Sequence, residues 1–205
     1  MNITHPFHDR DGDTLREECG VFGIIGAREA SAMTALGLHA LQHRGQEAVG
    51  ITSFDGQDFY AQRGIGHVAQ VFSDNARFEE LPGPMASGHV RYSTTGGSGL
   101  RNVQPLFADL ASGGFSIAHN GNISNAMTLK HELVSRGAIF QSTSDTEVII
   151  HLVATSRYPT LLDRFVDALR MVEGAYSLIC MTGEGMIACR DPLGIRPLVL
   201  GDLDG

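Results

Sequence analysis

At 205 residues and 22.0 kDa, with 42% hydrophobic and 19% charged residues, the chain is sized and composed for one large globular domain or two small ones, and against disorder. A net charge of −8, with no run of Lys and Arg, argues against a nucleic-acid groove. Three cysteines with no CxxC spacing make neither a disulfide framework nor a zinc knuckle and suit a reducing cytoplasm, and no segment approaches the ~20 apolar residues of a membrane span.

Residues 1–18, MNITHPFHDRDGDTLREE, lack the apolar centre of an export signal and read as a solvated acidic leader. They end at Cys19, the mouth of an apolar run, CGVFGIIG, that predicts a buried strand over 19–26. In REASAMTALGLHALQHRG, Met33, Gly37, Ala40 and Leu41 recur at helical spacing; His43 and Arg44 fall in the last turn, with Gly45 as the stop. EAVGITSF and DFYAQRG flank Asp55-Gly56 and predict a hairpin. PMASGHVRYS is a strand entering a glycine-rich loop, TTGGSGLRNVQP.

GGFSIAHNG predicts a strand that stops at Asn120-Gly121, followed by a helix from Ser124 to Arg136 that Gly137 ends. Ser144 and Glu147 stand at capping-box spacing before EVIIHLVATS. Thr160 caps a further helix in which Leu162, Phe165 and Leu169 share a face. AYSLICM, MIACR and RPLVLG read as closing antiparallel strands. Hairpins at both ends with helices between them suggest antiparallel sheets, and neither GxGxxG nor a phosphate loop occurs.

The chemistry begins with Cys19. A nucleophilic thiol needs a base, and with nine histidines a Cys/His pair is numerically cheap. His89 and His119 sit late in predicted strands, where each could face a site or fill a core position. A second base is available if residues 1–18 are removed. Cys19 then carries a free α-amino group, whose unperturbed pKa of about 8 suits proton transfer from the adjacent thiol. On this reading the leader keeps the precursor inert. The alternative is a buried cysteine acting only as a small hydrophobe.

The blocks CGVFGI, HALQHRGQEAVGI, GHVRYSTTGGSG, IAHNGNIS, STSDTEVIIHL and DPLGIRPL, in this order and spacing, resemble the class-II glutamine amidotransferases, over essentially everything from Cys19 to Gly205. HRGQEAVG, RYSTTG and HNGNISN fit the purine-synthesis branch better than the glucosamine-phosphate synthase branch, which remains the alternative. A leader ending Glu-Glu before Cys-Gly resembles the processed subtype of that branch.

The resemblance implies a four-layer αββα N-terminal-nucleophile hydrolase sandwich, an α+β fold with two antiparallel sheets between helix layers. It implies that residues 1–18 are a propeptide and 19–205 a glutaminase domain releasing ammonia from glutamine through a Cys19 γ-glutamyl thioester. Arg91 matches the family's partner for the α-carboxylate of glutamine, although a strand arginine in a surface salt bridge would look the same. Asp145 matches the carboxylate for the α-ammonium, and equally suits the first turn of a helix. Asn120 and Gly121 match the oxyanion hole, where Asn-Gly alone reads as a turn. Tyr92, Thr94 and the following glycines match a loop that folds over bound glutamine. Arg44 lies in a motif near the site, where a helix C-terminal cation is the plain alternative. Cys180 and Cys189 are expected in the core of adjacent strands.

In this branch ammonia passes to a phosphoribosyltransferase domain and, with phosphoribosylpyrophosphate, gives 5-phosphoribosylamine at the start of purine synthesis. No pattern for that domain occurs in the chain. The resemblance therefore implies no cofactor or metal here; Mg2+ and, in the processed subtype, a 4Fe-4S cluster belong to the longer enzyme. Glutamine and the missing domain are the expected partners, with homo-oligomers at full length, and no nucleic acid or membrane. Two rivals from other classes are a glutamine-binding module without turnover and a metal-dependent amidohydrolase using some of the histidines.

Overall fold

Cys19 leads directly into β1 (Gly20–Ile25), where Phe22 and Ile24 pack on one face while Gly23 meets Ile179 and Met186 on the other. The computed structural model describes residues 19–92 and 99–203, so the leader and Thr94 lie outside the described residues. Helix α1 (Ala30–Ala40) follows and covers β1 with Leu38 and Ala35. Its expected last turn is instead a separate 3-10 turn, Gln42–Arg44.

Gly45 ends that turn in extended backbone, φ −154°, so left-handed freedom is not why glycine stands there. A Cβ at Gly45 would lie 2.6 Å from the Val90 carbonyl carbon and 2.8 Å from the Arg91 nitrogen. The chain has to press against a neighbouring strand at this point. We therefore expect Gly45→Ala to destabilise the fold by about 1–3 kcal/mol through overpacking. Thermal denaturation should show a melting temperature lower by about 2–10 °C; an unchanged melting point would contradict the close approach.

β2 (Ala48–Phe54) and β3 (Phe59–Ile65) form the expected hairpin, closed by Asp55 accepting from the Gln57 and Asp58 N–H groups at 2.8 and 2.9 Å. Two short helices absent from the sequence reading, α2 (Val68–Val71) and α3 (Ala76–Glu79), follow, then β4 (Met85–Arg91). β4 lies between β1 and β2, giving a first antiparallel sheet in the order β1-β4-β2-β3. β5 (Leu106–Leu110) also escaped the sequence reading, because its exposed alternate residues and five-residue length hide it beside the loop.

β6 (Gly113–Ile123) runs on past Asn120-Gly121, so this dipeptide lies within a strand and the predicted stop is corrected. Helices α4 (Ala126–Ser135), α5 (Thr146–Thr155) and α6 (Leu161–Met171) precede β7 (Gly174–Thr182) and β8 (Gly185–Arg190). These strands make the second antiparallel sheet, β5-β6-β7-β8. Residues 196–201 form no strand: Asp191 instead accepts from the Ile195 and Arg196 N–H groups at 2.9 Å each, turning the chain away from the sheet.

Two local details also differ from expectation. Thr160 caps α6, accepting from the Asp163 N–H at 3.1 Å, but the buried face is Leu161, Phe165 and Ala168, with Leu162 exposed. One residue of phase decides this, because Leu161 and not Leu162 points at α5. Ser144 and Glu147 form no capping box. Asp145 is the N-cap, and Glu147 accepts from the Gln141 and Ser142 N–H groups, each at 2.7 Å, tying down the loop before α5.

α1 covers the first sheet, around Leu38, Val49, Ile51 and Val90; α4–α6 cover the second, around Phe115, Ile117, Ile149, Phe165 and Leu178. The sheets face each other between these helix layers, an αββα sandwich. The seam between them changes character along its length. At one end Phe54, Met85 and Met181 make an apolar plug. Toward Cys19 the buried side chains are polar: Ser87, His89, Asn120 and Ser177. A close-packed interior excludes a binding site from the first end, and the second is where the polar groups collect.

Candidate active site

Cys19 stands where the chain enters the first sheet, and Arg44 holds it by both main-chain groups. The Cys19 nitrogen donates to the Arg44 carbonyl at 2.9 Å, and Arg44 Nε donates to the Cys19 carbonyl at 2.9 Å. Arg44 thus acts on the backbone of the cysteine. Cys19 has φ 66°, a left-handed value that a side chain with a Cβ adopts at a cost on the order of 1–3 kcal/mol. Its Sγ lies 3.5 Å from the Tyr92 N–H, which donates to it, and 3.7 Å from the Tyr92 carbonyl.

β4 brings the next residues. Ala86 and Val90 pack under α1, so the odd-numbered Met85, Ser87, His89 and Arg91 turn toward the second sheet. Arg91 ends β4 half-buried on that side, and its guanidinium makes no hydrogen bond or ion pair among the described residues. Tyr92 is partly exposed at the rim.

β6 supplies the opposite wall. Phe115, Ile117 and Ile123 pack into the helix side, so Asn120 turns toward the first sheet. It is buried, and its side chain makes no hydrogen bond among the described residues. β5 begins only at Leu106, opposite Ile117, and beyond Ile117 β6 has a bare edge. Main-chain groups on such an edge need partners. The His119 N–H donates to Gln104 Oε1 at 2.7 Å and the Ile123 N–H donates to Asp145 Oδ2 at 2.9 Å. Gly121 lies between them, and among the described residues no side chain or loop accepts its N–H. Only glycine fits there: φ is 148° and a Cβ would stand 2.1 Å from the Ala175 carbonyl oxygen.

Asp145, at the N-terminus of α5, has Oδ1 3.6 Å from His119 Nδ1. Burial works to raise its pKa, but the His119 ring and the Ile123 and Thr146 N–H groups outweigh that and hold the carboxyl below the usual range. It is an anion at neutral pH. Among the described residues the geometry thus offers a thiol facing a backbone N–H, an unengaged guanidinium, a buried amide with its donors unpaired, a spare backbone N–H and a fixed carboxylate. Such a set can hold an amino acid by its two charged ends and stabilise a developing oxyanion.

Cys180 is buried in β7 and Cys189 half-buried in β8, as the sequence reading had it. Burial, together with Cys189, raises the Cys180 thiol well above its ordinary value, and burial pushes Cys189 to about 11. Both are inert thiols at neutral pH. Sequence reasoning gave no role to Gln104, His89, His119 or Thr146, which brace the β6 edge. Two late-strand histidines were a signal; a loop glutamine was none.

The architecture is that of the N-terminal-nucleophile hydrolases, and residues 89–205 match the family described as "Glutamine amidotransferase domain". The chain belongs to that family. Over its full length it is 58% identical to the amidophosphoribosyltransferase of Rhizobium etli, of which it covers 42%. It also superposes on the crystallised glutamine phosphoribosylpyrophosphate amidotransferase of Bacillus subtilis, solved with ADP and GMP, with a TM-score of 0.84 and 45% identity over 90% of this chain and 40% of that one. The structure described as the allosteric regulatory enzyme of purine biosynthesis gives a TM-score of 0.83 at 47% identity, over 86% of this chain and 38% of that one. The chain therefore corresponds to the N-terminal glutamine amidotransferase domain of these enzymes and spans about two-fifths of their length. Among the described residues no helix is long and apolar enough to cross a membrane.

Proposed function

We propose that the chain hydrolyses glutamine to glutamate and ammonia, with Cys19 as nucleophile after removal of residues 1–18. The observation that carries this reading is the clamp on Cys19: Arg44 fixes its nitrogen and carbonyl, and its sulfur meets the Tyr92 main chain just past the end of β4. Once Glu18 is gone, that nitrogen is an amine beside its own thiol, and the φ strain at Cys19 disappears with the preceding carbonyl. The amine takes the thiol proton as sulfur adds to the γ-amide carbon. The resulting oxyanion lies against the Asn120 amide and the Gly121 N–H. Collapse returns the proton to the leaving nitrogen, releasing ammonia and leaving a γ-glutamyl thioester that water hydrolyses.

Arg91 receives the α-carboxylate and Asp145 the α-ammonium, with Tyr92 and Thr94 as further substrate contacts. In a longer enzyme the ammonia would react with phosphoribosylpyrophosphate to give 5-phosphoribosylamine, the reaction that the names of its relatives indicate. Mass spectrometry of active protein treated with a glutamine-analogue affinity label tests the reading. A chain beginning at Cys19 with the label on its sulfur is expected; full activity with Glu18 still attached would overturn it.

Asp145→Asn should keep the fold, because an amide oxygen can still accept from the Ile123 N–H. Losing the charge removes a charge-assisted hydrogen bond to the ammonium, about 1.5–3 kcal/mol, and kcat/KM for glutamine should fall about 10–100-fold. An analogue lacking the amino group should lose little. Equal losses on both would show that Asp145 does not meet the ammonium.

A further inference from the structure

His89 is 1% exposed at the middle of the seam between the sheets. Its Nε2 lies 3.1 Å from the His119 carbonyl, a bond from the first sheet to the backbone of the second. That carbonyl belongs to the peptide leading into Asn120, on the stretch of β6 that β5 leaves bare. Gln104 holds the N–H of the same residue at 2.7 Å, so His119 is pinned at both its main-chain groups by side chains. On the other side, His89 sits in β4 paired with Val21 of β1, and the adjoining Val90 pairs with Gly20, the residue after Cys19.

We infer that His89 is a positioning residue for glutamine hydrolysis: its Nε2–H holds the His119–Asn120 peptide and so fixes Asn120 and Gly121 against Cys19. The role rests on the glutamine-hydrolysis reading above and deepens it. Cys19 and the oxyanion donors lie on different sheets, and helix packing outside each sheet does not set the spacing between them. A side chain from one sheet bonded to the other does. A carbonyl acceptor requires the proton on Nε2, so Nδ1, which has no hydrogen-bond partner among the described residues, carries the lone pair. Burial, then the neighbouring His119, drive the imidazole pKa down to about 3, against the opposing pull of the carbonyl bond. The ring is neutral throughout the working range and is not the catalytic base.

The matched pair His89→Gln and His89→Met separates bonding from filling, since both are long and unbranched but only Gln donates. In the full chain, His89→Met should lower kcat for glutamine about 10–100-fold with KM nearly unchanged, the size of loss a misplacement near 1 Å brings. His89→Gln should recover most of it, with the two variants melting at similar temperatures. An active chain whose Met variant matches its Gln variant overturns this role alone. An unmodified chain that releases no ammonia overturns the glutamine-hydrolysis reading, and this role with it. Should neither variant fold, nitrogen-15 NMR of the histidine rings in the unmodified protein decides: Nε2–H is expected for His89, and an Nδ1–H tautomer would break the bond on which the role stands.

Discussion

Cys19→Ala should abolish ammonia release while leaving glutamine binding largely intact. Removing a nucleophile takes away the covalent path entirely, and losses of about 10⁴-fold or more are the usual scale. Binding should survive because the groups assigned to the two charged ends of the substrate, Arg91 and Asp145, sit on β4 and α5 and not on the cysteine. The main-chain clamp from Arg44 uses atoms that alanine retains, so the strand entrance should keep its place. Isothermal titration with glutamine, beside an ammonia assay, reads both halves of the expectation. Turnover within about tenfold of the unmodified protein would move the nucleophile elsewhere.

Asn120→Ala carries the second largest expected effect. The amide is buried on the seam and makes no hydrogen bond among the described residues, so truncation breaks none there. On the proposed mechanism, what it removes is a donor needed only when the carbonyl oxygen becomes negative. Such a loss lowers kcat by about 10²–10³-fold with little change in KM. On the same mechanism the remaining rate should reflect the Gly121 N–H, which the substitution leaves in place. A rise in KM with kcat preserved would instead mark Asn120 as a ground-state contact. Steady-state kinetics over a range of glutamine concentrations distinguishes the two.

How much of this was legible beforehand differs from element to element. The strand after Cys19, the Asp55-Gly56 hairpin and the helices beginning near 126, 146 and 161 carry their own periodicity, caps and turn residues, and they stand where the pattern placed them. β5 was invisible, because a short edge strand with exposed alternate residues gains its stability from β6, a partner in space. RPLVLG looks like a strand and is none, since the carboxylate of Asp191 captures the backbone that would have paired. Asn120-Gly121 carried a turn signal and yet lies inside β6, the Gly121 conformation being accommodated against the Ala175 carbonyl.

The sequence by itself determined which residues could do chemistry: a cysteine after an acidic leader, an arginine closing a strand, Asn-Gly, and an aspartate before a helix. Their residue types and order are local properties, written in the chain. Tertiary structure alone decided that Arg44 grips Cys19, that β5, starting only opposite Ile117, leaves Gly121 unpaired on that edge of β6, and that His89 reaches across to the His119 carbonyl. The first and last join residues 25 and 30 positions apart through a backbone carbonyl, which every residue possesses and no sequence pattern marks.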